Sequence, residues 1–149
     1  GLLGPKIKHF CDELIGVDLS IKMIQKAKEK NIYQSLFHDE VENFLSSQPL
    51  LYDLLIALDV FIYVGDLSKI FQLLANRNKS HFYFAFTTEH SSGYSYNLEK
   101  SGRYSHTKQY IDQLCFAYGY SLKHFSVRNL RKHYDKHIKG GYYLLERKI

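Results

Sequence analysis

The sequence predicts an α/β fold, with a mainly parallel sheet, helices on both of its faces and an antiparallel hairpin at the C-terminal end. Short apolar runs alternate along the chain with segments whose apolar residues recur at helical spacing, which is typical of β-α-β units. The last two apolar runs, 121–127 and 142–147, have no helical segment between them, so we expect them to pair antiparallel. Residues 142–145 are continuously apolar, which predicts an interior strand between 81–87 and 121–127.

The remaining elements follow from local signals in chain order. A helical segment is expected at 6–10. Ser20 is a favourable N-cap for a helix over 21–30, and Thr107 is a favourable N-cap for a later helix. The other predicted strands are 14–18, 33–37, 51–58 and 81–87, and the other predicted helices are 41–45 and one introduced by Gly65-Asp66.

Two polar segments are predicted to be loops. Residues 89–105 are rich in tyrosine and contain Gly93 and Gly102, which are candidate hinges of a loop without secondary structure of its own. Such a loop would leave the sheet at its carboxyl edge, where α/β proteins bind ligands. The second loop joins the last two strands and is basic and solvated, with Lys132, His133, Lys136, His137 and Lys139.

Length and composition exclude several classes of protein. The 149 residues predict one domain spanning 1–149, and the formal charge of +5 comes without a nucleic-acid-binding motif. Cys11 and Cys115 are isolated in the sequence, which favours a reduced, cytoplasmic compartment. The longest apolar run is interrupted by Asp59 and is too short to span a bilayer. We therefore expect neither a membrane nor a nucleic acid as partner.

Asp18 is the first candidate binding residue, because it stands at the carboxyl end of the strand predicted at 14–18. A carboxylate in that place accepts two hydrogen bonds from the hydroxyl groups of a ribose. Gly1 and Gly4 stand at the entrance of the preceding helical segment, where glycines allow a nucleotide to approach the backbone. The alternative role for Asp18 is to stabilise the start of the next helix through its dipole.

The motifs around these residues resemble those of class I S-adenosylmethionine-dependent methyltransferases. Residues 16–27 match the family pattern G-V-D-x-S-x-x-M-x-x-x-A, and residues 52–60 match Y-D-L-I-x-A-x-D-V. Residues 102–106 resemble a G-R-Y-x-H segment of the predicted methyltransferases that carry tetratricopeptide repeats upstream. The resemblance covers nearly the whole chain. It implies a Rossmann-like class I methyltransferase sheet. By the same resemblance, the first strand of that sheet and the front of the glycine loop are missing, so we expect an N-terminally truncated chain.

The resemblance also implies S-adenosylmethionine as the cofactor and assigns residues to it. Gly1 would be the last glycine of the glycine loop, and Asp18 would hold the ribose hydroxyls. Asp39 and Glu40 lie where the family places the acid that faces the adenine amino group, and the pattern favours Glu40. The full set of implied cofactor-binding residues is Gly1, Asp18, Leu19, Met23, Asp39, Glu40, Val41, Asp59 and Val60.

Catalysis of methyl transfer needs little beyond positioning, because the sulfonium is a strong electrophile. By the resemblance, Asp59 lies closest to the reacting end, with a helix-capping or backbone-bonding role as the alternative. His106 is a candidate base, since histidine titrates near neutrality, although a capping or surface role is the alternative. Arg103 and Tyr104 are candidates for binding the acceptor; a surface ion pair is the alternative for Arg103.

Other readings of the sequence remain open. A nicotinamide-dependent oxidoreductase also uses glycines and a strand-ending acid, but the terminal hairpin and the Asp59-Val60 segment count against it. A non-enzymatic assembly module with a methyltransferase-like fold is the third reading. His133 and His137 have the i,i+4 spacing of a metal pair, yet no further ligand completes a zinc site, so no metal is expected. The methyl acceptor is not identified by the sequence, and proteins are among the candidates.

Overall fold

The computed structural model describes residues 2–77, 81–133 and 136–148. The chain divides into two compact units, Gly1–Gln48 and Pro49–Ile149, which we call unit 1 and unit 2. Gly1, with its predicted place in a glycine loop, lies outside the described residues. No helix among the described residues is long and apolar enough to cross a membrane.

Unit 1 contains a two-stranded parallel sheet and three short helices. A helical turn α1 (Gly4–Ile7) and a 3-10 turn (Lys8–Phe10) open it, as the sequence predicts. Ser20 caps the second helix, because its hydroxyl oxygen accepts the Met23 N–H. The elements are β1 (Ile15–Asp18), α2 (Ile21–Lys28), β2 (Ser35–His38) and α3 (Val41–Ser47), with β1 parallel to β2.

Unit 2 contains a six-stranded mixed sheet. Its elements are β3 (Leu54–Ala57), a 3-10 turn (Phe61–Tyr63), α4 (Ser68–Arg77), β4 (Phe82–His90), β5 (Tyr96–Leu98), β6 (Tyr104–His106), α5 (Lys108–Tyr118), β7 (Ser121–His133) and β8 (Lys136–Arg147). The order is β5-β6-β4-β8-β7, and β3 also pairs with β4. Strand β8 is antiparallel to both β4 and β7, so the predicted interior position of residues 142–145 is confirmed. The α/β class is confirmed as well.

The core of unit 2 is aromatic. Alternate residues of β4, Phe82, Phe84 and Phe86, are buried, as the period of two along a strand requires. The rings of Phe84 and Phe86 meet those of Phe61 and Phe71 edge to face, with centroids between 5.5 and 6.0 Å apart. This packing fixes the carboxyl end of β4 beside the end of β3.

The prediction of an unstructured loop over 89–105 is wrong. Strand β4 continues to His90, and β5 and β6 form a hairpin whose inner strand pairs with β4. The N–H of Glu99 bonds to the carbonyl of Arg103 at 2.8 Å and closes the turn. Three-residue strands separated by glycines leave too short a periodic pattern to indicate a hairpin.

The prediction of a basic loop between the last two strands is also wrong. Strands β7 and β8 continue as a paired ribbon to His133 and Lys136, beyond Gly140, where the pairing of β8 with β4 ends. We call residues 128–133 and 136–139 the ribbon arm. Residues 134–135 lie outside the described residues. The arm contains only two apolar residues, Leu130 and Ile138, so the sequence offers no apolar alternation that would predict paired strands there.

Candidate functional site

Asp18 ends β1 and is half-buried. Its Oδ1 accepts the Ser20 N–H at 2.8 Å, so the carboxylate supports the start of α2. Within the described part of the chain, Oδ2 of Asp18 makes no hydrogen bond. The helix-supporting role is therefore present, and it leaves one carboxylate oxygen able to accept from a ligand.

The acids that follow β2 lie beside Asp18. The N–H of Asp39 donates to the Asp18 carbonyl at 3.3 Å, and Nε2 of His38 bonds to the Leu19 carbonyl at 2.8 Å. The Asp39 carboxylate accepts the Glu40 N–H at 2.8 Å, whereas the exposed Glu40 carboxylate makes no hydrogen bond to the described residues. These bonds hold three carboxylates at one edge of the small sheet, where donors such as hydroxyl or amino groups would meet acceptors.

The apolar candidates of unit 1 are accessible at the same edge. Leu19 is 65% exposed and Met23 is 38% exposed, and Val41 begins α3 half-buried. The cavity between β1 and α2 measures about 90 Å³ and is lined by Gly16, Asp18 and Met23, among others. Small-molecule sites commonly measure about 300–1,000 Å³, so this cavity is too small for a nucleoside. A larger ligand of Asp18 would lie along the strand ends.

Asp59 follows β3 in unit 2 and adopts a positive φ of 58°. Its N–H donates to Oγ1 of Thr87 at 2.9 Å, which is a backbone-bonding role. Its carboxylate is half-exposed and accepts from Nη1 of Arg131 at 2.6 Å. Val60, the next residue, is 36% exposed. The side chain of Asp59 is thus oriented by a cation while one face stays open to solvent.

Arg131 and Glu89 form the part of this site that the sequence did not indicate. The second guanidinium nitrogen of Arg131 bonds to the Glu89 carboxylate, so the arginine bridges Asp59 and Glu89. Glu89 is buried, and a buried carboxylate requires such a partner. The bridge depends on the pairing of β7, β8 and β4. Because its residues are far apart in the chain, no local sequence pattern predicts that they meet.

His106 is wholly buried in β6, so the alternative of a surface position does not apply. Thr107 caps α5 instead, since its hydroxyl oxygen accepts the Tyr110 N–H at 3.1 Å. Nε2 of His106 donates to the Gly65 carbonyl at 2.9 Å. Burial lowers the pKa of His106, and its hydrogen bonds to backbone carbonyls offset only part of that change. The imidazole is therefore neutral at pH 7, and its role as a base stays a prediction.

Arg103 and Tyr104 lie at the β5–β6 hairpin. A Cβ placed on Gly65 would lie 2.7 Å from Cε1 of Tyr104, so the Tyr104 ring packs directly on that glycine. Arg103 is half-buried and makes no ion pair with the described residues. Gly93 and Gly102 have φ values of 119° and 76°; Gly102 lies in the turn of the hairpin, and Gly93 lies in the connection from β4 to β5. Among the described residues the Arg103 guanidinium thus has no charged partner, and Tyr104 has a packing role.

The described residues contain no group of three or more histidine, cysteine or acidic side chains placed to hold a metal ion. His137 is exposed in the ribbon arm. The side chain of His133 lies outside the described residues, so the pair with i,i+4 spacing is not described as a whole.

No protein-family model matches the sequence, and no curated protein matches it. Solved structures do match the fold. A SAM-dependent methyltransferase from Methanosarcina mazei has a TM-score of 0.71 at 14% identity, covering 97% of this chain and 86% of its own. The N-methyltransferase NodS from Bradyrhizobium japonicum WM9, solved with S-adenosyl-L-homocysteine, has a TM-score of 0.72 at 14% identity, covering 95% of this chain and 70% of its own.

A third structure, magnesium protoporphyrin IX methyltransferase (ChlM) from Synechocystis PCC 6803 with bound SAM, has a TM-score of 0.69 at 17% identity. The match covers 99% of this chain and 65% of that enzyme, so the chain spans about two thirds of its length. At these identities the likeness establishes the fold, which is Rossmann-like and of the class I methyltransferase type. Function has to be argued from the site.

Proposed function

We propose that the protein is an S-adenosylmethionine-dependent methyltransferase. The observation that carries the proposal is Asp18 at the carboxyl end of β1: one carboxylate oxygen accepts the Ser20 N–H, and the other has no hydrogen bond among the described residues. In open α/β sheets ligands bind at that edge, and an acid there accepts the hydroxyls of a ribose. The likeness to structures solved with SAM and with S-adenosyl-L-homocysteine supports this cofactor.

The residues of unit 1 fit the chemistry of an adenosine group. Asp39 and the exposed Glu40 lie beside Asp18 and supply acceptors for an amino group. The exposed Leu19 and Met23 offer apolar surface for a ring system. When bound, the cofactor supplies an electrophilic methyl group, so the protein has to orient the acceptor and exclude water.

The residues of unit 2 are proposed to handle the acceptor. Asp59, oriented by Arg131, and the neutral His106 are the candidates for catalysis. Arg103, which has no ion-pair partner in the described part of the chain, is suited to an anionic group, and Tyr104 belongs to the same hairpin. We expect Arg103→Ala and Tyr104→Phe to reduce methyl transfer in a labelled-methyl assay and to leave cofactor affinity within about threefold, or roughly 0.65 kcal/mol.

Calorimetric titration of the full chain with S-adenosyl-L-homocysteine tests the cofactor. Asp18→Asn retains an oxygen for the Ser20 N–H but removes the charge, so it separates ligand binding from the support of α2. Losing one charge-assisted hydrogen bond costs about 1.5–3 kcal/mol, which is roughly 10- to 150-fold in affinity. Asp18→Ala should lose as much affinity and some helix stability as well.

Asp12→Ala is the matched control, because Asp12 is an exposed acid that precedes β1. It should leave the affinity unchanged. Full affinity in Asp18→Asn would contradict the proposal. A parallel titration with NADH tests the alternative of a nicotinamide-dependent oxidoreductase, which predicts that NADH binds. Cofactor binding without turnover on any acceptor would indicate a non-enzymatic module.

The proposal also includes a subfamily and a cellular location. The G-R-Y-x-H likeness at 102–106 supports a place among the methyltransferases with upstream tetratricopeptide repeats. Cys11 and Cys115 are both free thiols, which supports a cytoplasmic location. The acceptor class follows from a different part of unit 2.

A further inference from the structure

An open cleft of about 590 Å³ lies in unit 2 at the carboxyl end of β4. The β5–β6 hairpin forms one wall, and the ribbon arm forms the other. Its polar lining consists mainly of Glu89, His90, Glu99, Lys100, His137 and Lys139. Small-molecule sites commonly measure about 300–1,000 Å³, so the cleft has the size of a site for a metabolite.

The hairpin wall is fixed by its own hydrogen bonds. The N–H of Gly102 bonds to the Glu99 carbonyl at 2.9 Å, and the N–H of Glu99 bonds to the Arg103 carbonyl at 2.8 Å. The Glu99 carboxylate accepts from the Ser105 hydroxyl. Lys100 sits at the tip of this closed turn, so its position at the cleft follows from the turn.

The opposite wall is fixed by close packing in the ribbon arm. A Cβ on Gly140 would lie 2.8 Å from Cβ of Leu130, so the two strands are in tight contact where the arm begins. Nζ of Lys139 donates to Oδ1 of Asn129 at 2.9 Å. His137 lies two residues before Lys139 in β8 and is exposed. Lys139 and His137 thus both belong to a paired strand.

Two lysines of the cleft lining, Lys100 and Lys139, offer positive charge to a ligand. The charge of Glu89 is offset by Arg131, and the Glu99 carboxylate accepts the Ser105 hydroxyl. Lys100 makes no ion pair or side-chain hydrogen bond within the described residues, and His137 makes none there either. Residues 128–139 contain five lysines and arginines and one aspartate, which gives this segment a formal charge of +4, against +5 for the chain.

His90 provides a neutral polar group on the cleft lining. Burial lowers the pKa of His90, and its Nδ1 is buried without a hydrogen-bond partner among the described residues. A buried nitrogen without a partner is costly unless a ligand or water satisfies it. The lining therefore combines exposed cations with one unsatisfied polar atom, which is the composition of a binding site for a small polar anion.

We propose that this cleft binds a small methyl acceptor through its anionic group, a carboxylate or a phosphate, held by Lys100, Lys139 and His137. The identity of the ligand as a methyl acceptor rests on the proposed methyltransferase function. The anion site itself is argued from the geometry of unit 2. Lysine binds such groups as a point charge, and two lysines on facing walls can approach one anion together.

Titration followed by amide chemical shifts in NMR tests the site with inorganic phosphate in one series and acetate in another. We expect saturable shifts confined to residues 89–91, 99–105 and 137–139. The double substitution Lys100→Gln with Lys139→Gln should weaken binding by about fivefold, a modest factor because the lysines are partly solvated. The preferred probe of the two identifies the acceptor group as a phosphate or a carboxylate.

The control is Lys28→Gln with Lys69→Gln, two exposed lysines of α2 and α4 that change the net charge equally. Equal weakening in the control, shifts spread over the surface, or no saturable shift with either probe would overturn the proposal. The spectrum of each variant reports whether it is folded. S-adenosyl-L-homocysteine is titrated separately, so the two proposals can fail independently. Anion binding at the cleft without cofactor binding would contradict the proposed function but would support the anion site.

Discussion

Glu146 in β8 shows how a single residue links charge to stability in unit 2. It is buried, and its Oε1 lies 2.9 Å from Nε2 of His81 and accepts the Tyr83 hydroxyl at 3.2 Å. Nζ of Lys123 donates to Oε2 at 3.1 Å. The contacts from His81 and Lys123 lower the pKa of Glu146 to about 2. The carboxylate therefore remains charged in acid that would protonate an ordinary glutamate.

The depressed pKa predicts a specific loss of stability in acid. A carboxyl group with a lower pKa in the folded than in the unfolded chain stabilises the fold fully above its ordinary pKa, near 4.5. That contribution declines as the pH falls from about 4.5 toward 2. Glu146→Gln should lower the melting temperature at pH 7 and flatten its dependence on pH below 5.

Thermal melts between pH 7 and pH 3, followed by circular dichroism, measure this effect. Glu13→Gln is the control, since Glu13 is exposed. A Glu146→Gln variant whose melting temperature falls with acid as steeply as that of the parent would show that other groups carry the acid sensitivity.

At the scale of elements, Tyr110 ties α5 to the start of α4. Its hydroxyl accepts the Leu67 N–H at 2.8 Å and donates to Oδ1 of Asp66 at 2.9 Å. Burial, the largest cause, raises the pKa of Tyr110 to about 12, so the hydroxyl stays protonated and can donate. Asp66 also accepts the Ser68 N–H at 2.8 Å, which stabilises the first turn of α4.

Tyr110→Phe should destabilise the protein by about 1–3 kcal/mol, because it leaves the buried Leu67 N–H without an acceptor. Urea unfolding measures the free energy of unfolding. Tyr94→Phe is the control at a ring that is 80% exposed, and it should change the free energy by less than about 0.5 kcal/mol. Equal effects of the two substitutions would mean that the contact between α4 and α5 contributes nothing.

At the scale of the whole molecule, the two units differ in how much apolar surface they bury. The described residues of unit 1 contain three buried apolar side chains, Ala27, Phe44 and Leu45. In unit 2 the phenylalanines around β4 form a continuous aromatic core. Strands β1 and β2 have four residues each and pair, within the described residues, only with each other.

Native-state hydrogen exchange should therefore show weaker protection in β1 and β2 than in β4 and β8. Local opening requires less free energy where few buried contacts have to be broken. Exchange measured residue by residue by NMR at pH 7 decides this. Protection of β1 amides equal to that of β4 amides would mean that the chain unfolds as one cooperative unit.

The sequence by itself determined the features that depend on neighbouring residues. Local apolar patterns and local hydrogen bonds determine the end of β1 at Asp18 and the helix caps at Ser20 and Thr107. All three features were predicted from the sequence. The interior place of β8 was also predictable, because an apolar run on consecutive positions requires cover on both faces.

Only the tertiary structure decided which distant residues meet. Strand register brings Arg131 to Asp59 and Glu89, and the β5–β6 hairpin buries His106 against Gly65. The cleft at the end of β4 likewise combines two hairpins that are separate in the chain. Register between strands is set by the packing of the whole sheet, so a period of two within each strand cannot specify which side chains become partners.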